Sequence, residues 1–224
     1  MSASGTPTGQ LLRKSPQQRR SLARIDQLLD AAAQVIADVG IGETTTNAIA
    51  ARAGASVGTL YQFFPNKDAV LRSLAMRYAA EFDAIKDRVM AVEAADLPLE
   101  VMMRGIVEPL AAFFDANPAY PRVFAATMET DGSRTTLESR MHHGVITRVD
   151  AMLGRRFPGM PRAQRTAVAT VQVHTVHAIM IASLHCEKRE RLAMRAELTR
   201  ALVAALVPFE VYREPLNSPP VRPE

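Results

Sequence analysis

Residues 45–64 contain two short helical segments separated by a glycine, and this feature constrains the fold more than any other. The first segment follows Thr45, a good helix N-cap, and ends at Gly54. The second follows Ser56 and ends before Pro65. Two short helices joined by a tight turn are typical of a helix-turn-helix, whose second helix enters the DNA major groove. The pattern therefore predicts a DNA-binding unit.

The composition predicts helices along the rest of the chain. Hydrophobic residues make up 48% of the 224 residues but aromatic residues only 5%, and alanine, leucine, arginine, glutamate and methionine are frequent. These residue types favour helix over sheet, and no window alternates apolar and polar positions as a strand would. We therefore expect an all-α fold.

Changes in composition and helical periodicity divide the chain into four parts. Residues 1–20 are rich in Ser, Thr, Gly, Pro and Gln, which predicts a disordered arm. Residues 21–66 hold three helices that include the helix-turn-helix. Residues 67–210 form a second helical domain, with a long fourth helix as the connector. Residues 211–224 are proline-rich and are predicted to be a loose tail.

Positive charge is concentrated at the N-terminus. The formal charge is +4, yet residues 1–24 carry no acidic side chain. A basic arm on a near-neutral body fits a local contact with a polyanion, although a solubilising tail would have the same composition. The basic residues are Arg13, Lys14, Arg19, Arg20 and Arg24.

Several classes of protein are disfavoured by what the sequence contains. The single cysteine, Cys186, excludes an internal disulfide framework and a cysteine-rich zinc site. The start has no signal-peptide pattern, and no apolar run was found that approaches the length of a membrane span, so we expect a cytoplasmic protein without a membrane partner. Residues 54–58 match the G-x-S-x-G pattern of hydrolases, but that motif needs a preceding strand and here follows a predicted helix.

The second short segment carries most of the candidate DNA contacts. Its hydroxyl groups can donate to phosphate oxygens, and Gln62 can read adenine with two hydrogen bonds. Gly58 costs about 1 kcal/mol relative to alanine inside a helix, which favours a close approach to a phosphate. Leu60 and Phe64 should face the core. Lys67 begins the next helix, where its ammonium and the free N–H groups favour a phosphate. The predicted contacts are Thr45, Thr46, Ser56, Val57, Gly58, Thr59, Tyr61, Gln62, Phe63 and Lys67.

Residues 25–71 closely resemble the N-terminal DNA-binding domain of TetR-family transcriptional regulators. The resemblance covers about a third of the chain. The matching residues are Ile25, Ala31, Ala32, Gly40, Thr45, Ile49, Ala50, Ala53, Gly54, Ser56, Gly58, Thr59, Leu60, Tyr61, Phe63, Phe64, Lys67 and Leu71. Phe63 departs from the family, which usually has tyrosine there, so one phosphate hydrogen bond would be lost. Gln62 stands at a variable position and is the expected source of sequence choice.

Beyond residue 75 the resemblance implies an architecture. It implies a helical ligand-binding and dimerisation domain, and a homodimer built on the last two helices, about 162–185 and 190–207. Such a dimer would bind a palindromic operator with its recognition helices about 34–36 Å apart. The resemblance implies a repressor rather than an enzyme, released by an apolar or amphipathic small molecule and needing no cofactor. A ligand-binding protein with a vestigial DNA-binding half remains an alternative.

Aromatic, methionine and histidine side chains of the second domain are candidates for the ligand chamber. Methionine suits a pocket that accepts varied shapes. Each of these residues could equally be ordinary core. The two histidines three apart on one helix could also form half of a metal site, which leaves a metal-responsive regulator as an alternative; we assign no metal ligand. The candidates are Met102, Phe113, Phe114, Phe124, Met128, His142, His174 and His177.

Overall fold

The computed structural model describes the backbone of residues 16–89, 92–129 and 137–213, and the side chains of residues 20–89, 94–126 and 144–213. All regular structure in these ranges is helical, which confirms the all-α prediction. The elements are α1 (Pro16–Glu43), α2 (Thr46–Arg52), α3 (Val57–Phe63), α4 (Lys67–Val89), a 3-10 segment (Val92–Asp96), α5 (Leu99–Ala116), α6 (Tyr120–Glu129), α7 (Leu137–Arg156), α8 (Arg162–Ser183), α9 (Lys188–Leu206) and a second 3-10 segment (Val207–Tyr212).

Two glycines have a positive φ, a backbone conformation that favours glycine. Gly40 has φ 81° and bends α1, which continues for one more turn to Glu43. Gly54 has φ 58° in the turn between α2 and α3. Only glycine adopts such angles at little cost, so both turns are encoded locally. The hydroxyl of buried Thr44 donates to the Gly40 carbonyl at 2.6 Å and closes the bend.

The predicted disorder of residues 16–20 is not observed, because α1 begins at Pro16 rather than near residue 21. Proline is favoured in the first turn of a helix, and the residues that follow it include glutamine, arginine and leucine, which are good helix formers. Arg19, Arg20 and Arg24 therefore lie on α1 rather than on a loose arm. The remainder of the predicted arm, residues 1–15, lies outside the described residues.

The first residues of the predicted tail lie in regular structure. Residues 211–212 belong to the second 3-10 segment, where the buried guanidinium of Arg156 binds Glu210 Oε1 at 2.7 and 3.0 Å. Arg156 also donates to the carbonyl oxygens of Ala95 and Leu97, at 2.8 and 2.6 Å. One arginine thus ties the end of the described chain to the segment before α5. Residues 214–224 lie outside the described residues.

The connector α4 contributes to the packing of both halves. Its first turns bury Leu71 and Leu74 with Leu28 and Ile36 of α1 and Leu60 of α3. Further along, the Tyr78 ring packs edge-to-face on Phe113 and on Tyr120, with centroids 6.4 and 5.7 Å apart. In the second half of the chain, α5 packs against α4, α8 and α9, and α7 packs against α8.

Candidate nucleic-acid interface and effector pocket

Thr45 and Ser56 form the N-caps that start the two helices of the helix-turn-helix. The Thr45 side-chain oxygen accepts from the Ala48 N–H at 3.1 Å, and that of Ser56 accepts from the Thr59 N–H at 3.1 Å. Because the oxygen of a cap accepts, the hydroxyl proton can still be donated outward. Ser56 and Thr59 also share a hydrogen bond of 2.9 Å between their hydroxyls, so one proton of this pair is used internally.

The short helix α3 has a buried face and an exposed face. Leu60 is fully buried and Phe64 is 5% exposed, so both anchor the helix as predicted. Tyr61 is 51% exposed and Gln62 is exposed. The Tyr61 hydroxyl lies 3.3 Å from the Thr46 hydroxyl of α2, within hydrogen-bonding distance. The fold therefore brings predicted contacts from both helices onto one polar surface, together with Ser56 and Gly58, which are also exposed.

Val57 and Phe63 are placed differently from the other predicted contacts. Both side chains are half-buried and pack against the core. Most of their surface is therefore committed to holding α3 in place. Thr59 is also half-buried. The family usually has tyrosine at position 63, whose hydroxyl could bind a phosphate. In this structure the Phe63 ring packs against the core.

The glycine at position 58 is not required by the protein's own packing. A methyl group built there would meet only the Ser56 hydroxyl, at the ordinary contact distance of 3.7 Å. Gly58 has helical backbone angles, in contrast to Gly54, whose φ is 58°. The absence of a side chain at Gly58 therefore leaves space on the exposed surface of α3, not in the protein core.

The Lys67 side chain has an internal partner that the sequence did not indicate. Its ammonium donates to the Ile41 carbonyl at 3.1 Å, which ties the start of α4 to the last turn of α1. An ammonium has three N–H donors, so this bond leaves capacity for a phosphate. Lys67 holds the relative position of two helices besides being a candidate contact.

Ser56 follows α2 and not a strand, so the G-x-S-x-G pattern of residues 54–58 lacks the structural context of a hydrolase motif.

An apolar cavity is lined by residues of α4, α5, α6, α7, α8 and α9, and three of the predicted ligand residues are among them. Phe114, Phe124 and His177 line it, together with residues the sequence did not single out, such as Tyr120, Met152 and Gln172. The free volume inside is about 60 Å³. That volume holds only a few water molecules, so a larger ligand would have to displace wall side chains.

Three other predicted ligand residues, Met102, Phe113 and His174, do not line the cavity. Met102 and Phe113 are buried, 1% and 4% exposed, but in the core beside the cavity; Met103 and Phe114 line it instead. Consecutive side chains of a helix point about 100° apart, and the sequence alone did not show which of two neighbours faces the cavity. His174 is exposed on α8. The side chains of Met128 and His142 lie outside the described residues.

A metal site needs ligands beyond the two α8 histidines. Across the residues whose side chains are described, no group of three or more His, Cys, Asp or Glu side chains could hold an ion. His174 is exposed while His177 lines the cavity, so the two face different surroundings. The described part of the chain does not supply the third ligand that a metal-responsive regulator would need.

Helix α6 connects the cavity to the DNA-binding half. Tyr120 and Phe124 of α6 line the cavity, with ring centroids 5.3 Å apart. Between them in sequence, Arg122 donates to the carbonyl oxygens of Ile36 and Ala37 on α1, at 2.9 and 2.6 Å. The same helix thus touches the ligand space and the first helix of the chain.

Helix α8 is the one helix of the described ranges that is long and apolar enough, by length and composition alone, to cross a membrane. The sequence alone had shown no apolar run that approaches this length. Only 28% of its apolar window is buried, although it packs against α7 and α9. The rest of the helix is half-buried or exposed in the single chain.

Two family descriptions match the sequence, and together they cover both halves. The family described as "Bacterial regulatory proteins, tetR family" matches residues 28–74, and "Tetracyclin repressor-like, C-terminal domain" matches residues 98–206. The fatty acid metabolism regulator protein of Bacillus subtilis (strain 168) is 36% identical over 72 residues, which are 30% of this chain and 37% of that protein. The matched region therefore spans little more than a third of that relative.

Solved structures share the fold over most of the chain. A TetR-like transcriptional regulator from Rhodococcus sp. RHA1 has a TM-score of 0.59 at 22% identity, covering 81% of this chain and 93% of that one. The fatty acid degradation regulator FadR from Bacillus halodurans has a TM-score of 0.56 at 22% identity, covering 85% and 96%. At these identities the likeness concerns the fold.

Proposed function

The chain belongs to the TetR family of transcriptional regulators, and from this we propose that it is a repressor that binds a palindromic operator as a homodimer and is released by a small apolar or amphipathic molecule. The family and the fold are those of regulators, which are not enzymes. The observation that carries the proposal is the polar exposed surface of α2 and α3, in which Ser56, Gly58, Tyr61 and Gln62 stand on a helix anchored by Leu60. We expect the cytoplasmic location that is usual for this family.

The roles on this surface divide by chemistry. The hydroxyls of Ser56 and Tyr61 would donate to phosphate oxygens, and the open space at Gly58 would let the backbone approach one. Gln62 is exposed next to them and carries the paired donor and acceptor that match an adenine edge. The positive charges of Arg20 and Arg24, both in the first turns of α1, add a sequence-independent attraction.

A mobility-shift assay with the DNA upstream of the gene tests the proposal. Salt-sensitive binding at nanomolar protein is expected, and its absence would count against a DNA-binding regulator. Gln62→Ala should change the base preference at one position. Lys67→Gln should weaken binding to all sequences and reduce the salt slope by about 0.9 per lost phosphate contact.

Lys188→Gln is the matched control for Lys67→Gln, because Lys188 is likewise the first residue of a long helix, α9. It should leave the salt slope unchanged. Since Lys67 also binds the Ile41 carbonyl, the thermal midpoint of each variant must be measured as well. Identical behaviour of the Gln62 and Lys67 variants would contradict the division of roles.

The exposed stripe on α8 supports the proposed homodimer. Ala167, Val171, His174, Ala178 and Ala182 recur every three or four residues, and all are exposed in the single chain. Val171 is 64% exposed. None of the five is an acid, lysine or arginine, so the stripe can be covered without burying a full charge.

The neighbouring helix α9 would complete a four-helix interface between two subunits. With 22 and 19 residues, α8 and α9 are about 33 and 28 Å long, enough for an extended contact. A ligand that enters the cavity would displace Tyr120 and Phe124 on α6. Because α6 also holds α1, that displacement would change the separation of the two recognition helices and lower operator affinity.

A further inference from the structure

We propose that the cavity selects an uncharged effector: an aromatic or compact apolar body that carries one neutral hydrogen-bonding group such as a hydroxyl or an amide. The inference rests on the proposed function, in which this cavity is the effector site, and it names the chemical class of the ligand. It excludes carboxylates, free fatty acids among them, and ammonium compounds.

The described part of the cavity wall is composed almost entirely of apolar side chains. Of the fifteen described residues that line the cavity, twelve are apolar and three are polar, and none is an acid, a lysine or an arginine. Burying an ionised carboxylate or ammonium without a partner is strongly unfavourable. A charged ligand would have to give up its hydration for a wall whose described part holds no acid, lysine or arginine, whereas a neutral one would not.

Lys86, a candidate anion partner beside the cavity wall, is already engaged. Lys86 is 6% exposed, and its ammonium lies 5.6 Å from the ring centroid of Phe82, which is part of the cavity wall. That ammonium forms an ion pair with Asp83 on the same helix. An anionic ligand would have to compete with this carboxylate and pass the Phe82 ring.

The polar residues in the wall suit a neutral group. The Gln172 amide nitrogen donates to the Leu202 carbonyl at 3.4 Å, which directs one end of the amide and leaves its oxygen as an acceptor. The His177 ring lies 6.3 Å, centroid to centroid, from both Phe114 and Phe124. A neutral imidazole has one donor and one acceptor, so it can pair with a hydroxyl among aromatic rings.

The aromatic content of the wall favours an aromatic or compact body over a long flexible chain. Phe82, Phe114, Tyr120 and Phe124 enclose the space, and Met103 and Met152 supply adaptable side chains. With about 60 Å³ free, the ligand makes its own room by moving these groups. An aromatic ring of the ligand can form new ring–ring contacts in place of those that it disrupts in the wall.

Four probes on one carbon skeleton test the inference by isothermal titration calorimetry at pH 8, where an ordinary imidazole is neutral. They are biphenyl-4-methanol (neutral), biphenyl-4-carboxylate (anion), biphenyl-4-methylammonium (cation) and biphenyl, which lacks the polar group. We expect the alcohol to bind at least about tenfold more tightly than either ion. Binding of either ion as tightly as the alcohol, or no binding of the alcohol up to its solubility limit, would overturn the inference.

Two substitutions test whether polar side chains of the cavity wall bind the hydroxyl group of the ligand. His177→Phe and Gln172→Leu should each weaken binding of the alcohol by about 3- to 10-fold, the effect of one lost hydrogen bond, and leave biphenyl binding unchanged. Lys86→Met is the control and should not change the affinity for the alcohol or for the carboxylate. Loss of carboxylate binding in Lys86→Met would show an anion site and contradict the inference.

Calorimetry separates this inference from the proposed function, since it needs no DNA. A protein that binds the alcohol but shows no salt-sensitive DNA binding would refute the repressor and retain the ligand class. A protein that shifts DNA but prefers the carboxylate would refute the ligand class and retain the repressor.

Discussion

Nη1 of Arg122 on α6 donates a hydrogen bond of 2.6 Å to the carbonyl oxygen of Ala37 on α1, although the two residues are 85 positions apart. The Ile36 carbonyl accepts from the same nitrogen at 2.9 Å. Both carbonyls lie in the last regular turn before the bend at Gly40, where helix carbonyls lack partners in their own helix. The regulatory half thus caps the first helix of the DNA-binding half.

Replacing this cap is expected to loosen the end of α1. Arg122→Met should lower the free energy of unfolding by about 1 kcal/mol, since the bonds are charge-assisted but the arginine is exposed. Amide hydrogen exchange in residues 36–44 should become faster. Arg104→Met, which removes an exposed pair with Glu100 inside α5, is the control and should change neither quantity by a measurable amount. Unchanged exchange in Arg122→Met would show that the contact does not hold α1.

Gly58→Ala should separate folding from DNA binding. The added methyl meets only the Ser56 hydroxyl at 3.7 Å, so alanine should stabilise the protein by about 0.5–1 kcal/mol while DNA affinity falls tenfold or more. Gly105→Ala in α5, where a methyl group meets nothing within 4 Å, should give the same stabilisation with normal DNA binding. Denaturation and mobility-shift measurements on both variants decide the matter. Wild-type DNA affinity in Gly58→Ala would remove the argument for close backbone approach.

Val171→Glu should dissociate the proposed dimer. Val171 is 64% exposed on the apolar stripe of α8, and a carboxylate buried there at an interface would meet no lysine or arginine of the stripe. Sedimentation equilibrium should show a monomer, and operator affinity should fall because one half-site contact is lost. Val101→Glu, a 49% exposed valine on α5, should remain dimeric. A dimeric Val171→Glu protein would place the interface elsewhere.

The Asp115 carboxylate is expected to make stability depend on acidic pH. Hydrogen bonding to Arg195 holds the pKa of Asp115 below the usual value of an aspartate side chain, with further attraction from Arg191. Because the pKa is lower in the folded state, the stabilisation is fully present above about pH 4 and is lost as the pH falls through the folded value.

Urea denaturation of the wild type and Asp115→Asn measures this contribution. The variant should be less stable by about 1 kcal/mol at pH 6, an estimate discounted because Asp115 is 41% exposed, and the difference should shrink towards pH 3. Glu197→Gln, whose exposed partner Arg200 lies on the same helix, should show no such difference at either pH. A difference for Asp115→Asn that does not change with pH would contradict the linkage.

The sequence by itself determined the features that depend on neighbours within a few positions. The caps at Thr45 and Ser56, the glycine turn at Gly54 and the inward anchor Leu60 were all predicted and are observed. Such features follow from local hydrogen bonding, backbone sterics and helical spacing, which a short stretch of sequence contains. The resemblance to the TetR family depends on the same local residues.

Only the tertiary structure decided how the helices are rotated and which distant segments meet. It placed Met103 rather than Met102 in the cavity wall, gave Lys67 a partner in Ile41, and directed Arg122 to α1. Each outcome depends on the angle of a helix about its axis and on contacts between residues 26 to 86 positions apart. Helical periodicity identifies a buried face but not which neighbour covers it, so the link between the cavity and the DNA-binding helices emerged only from packing.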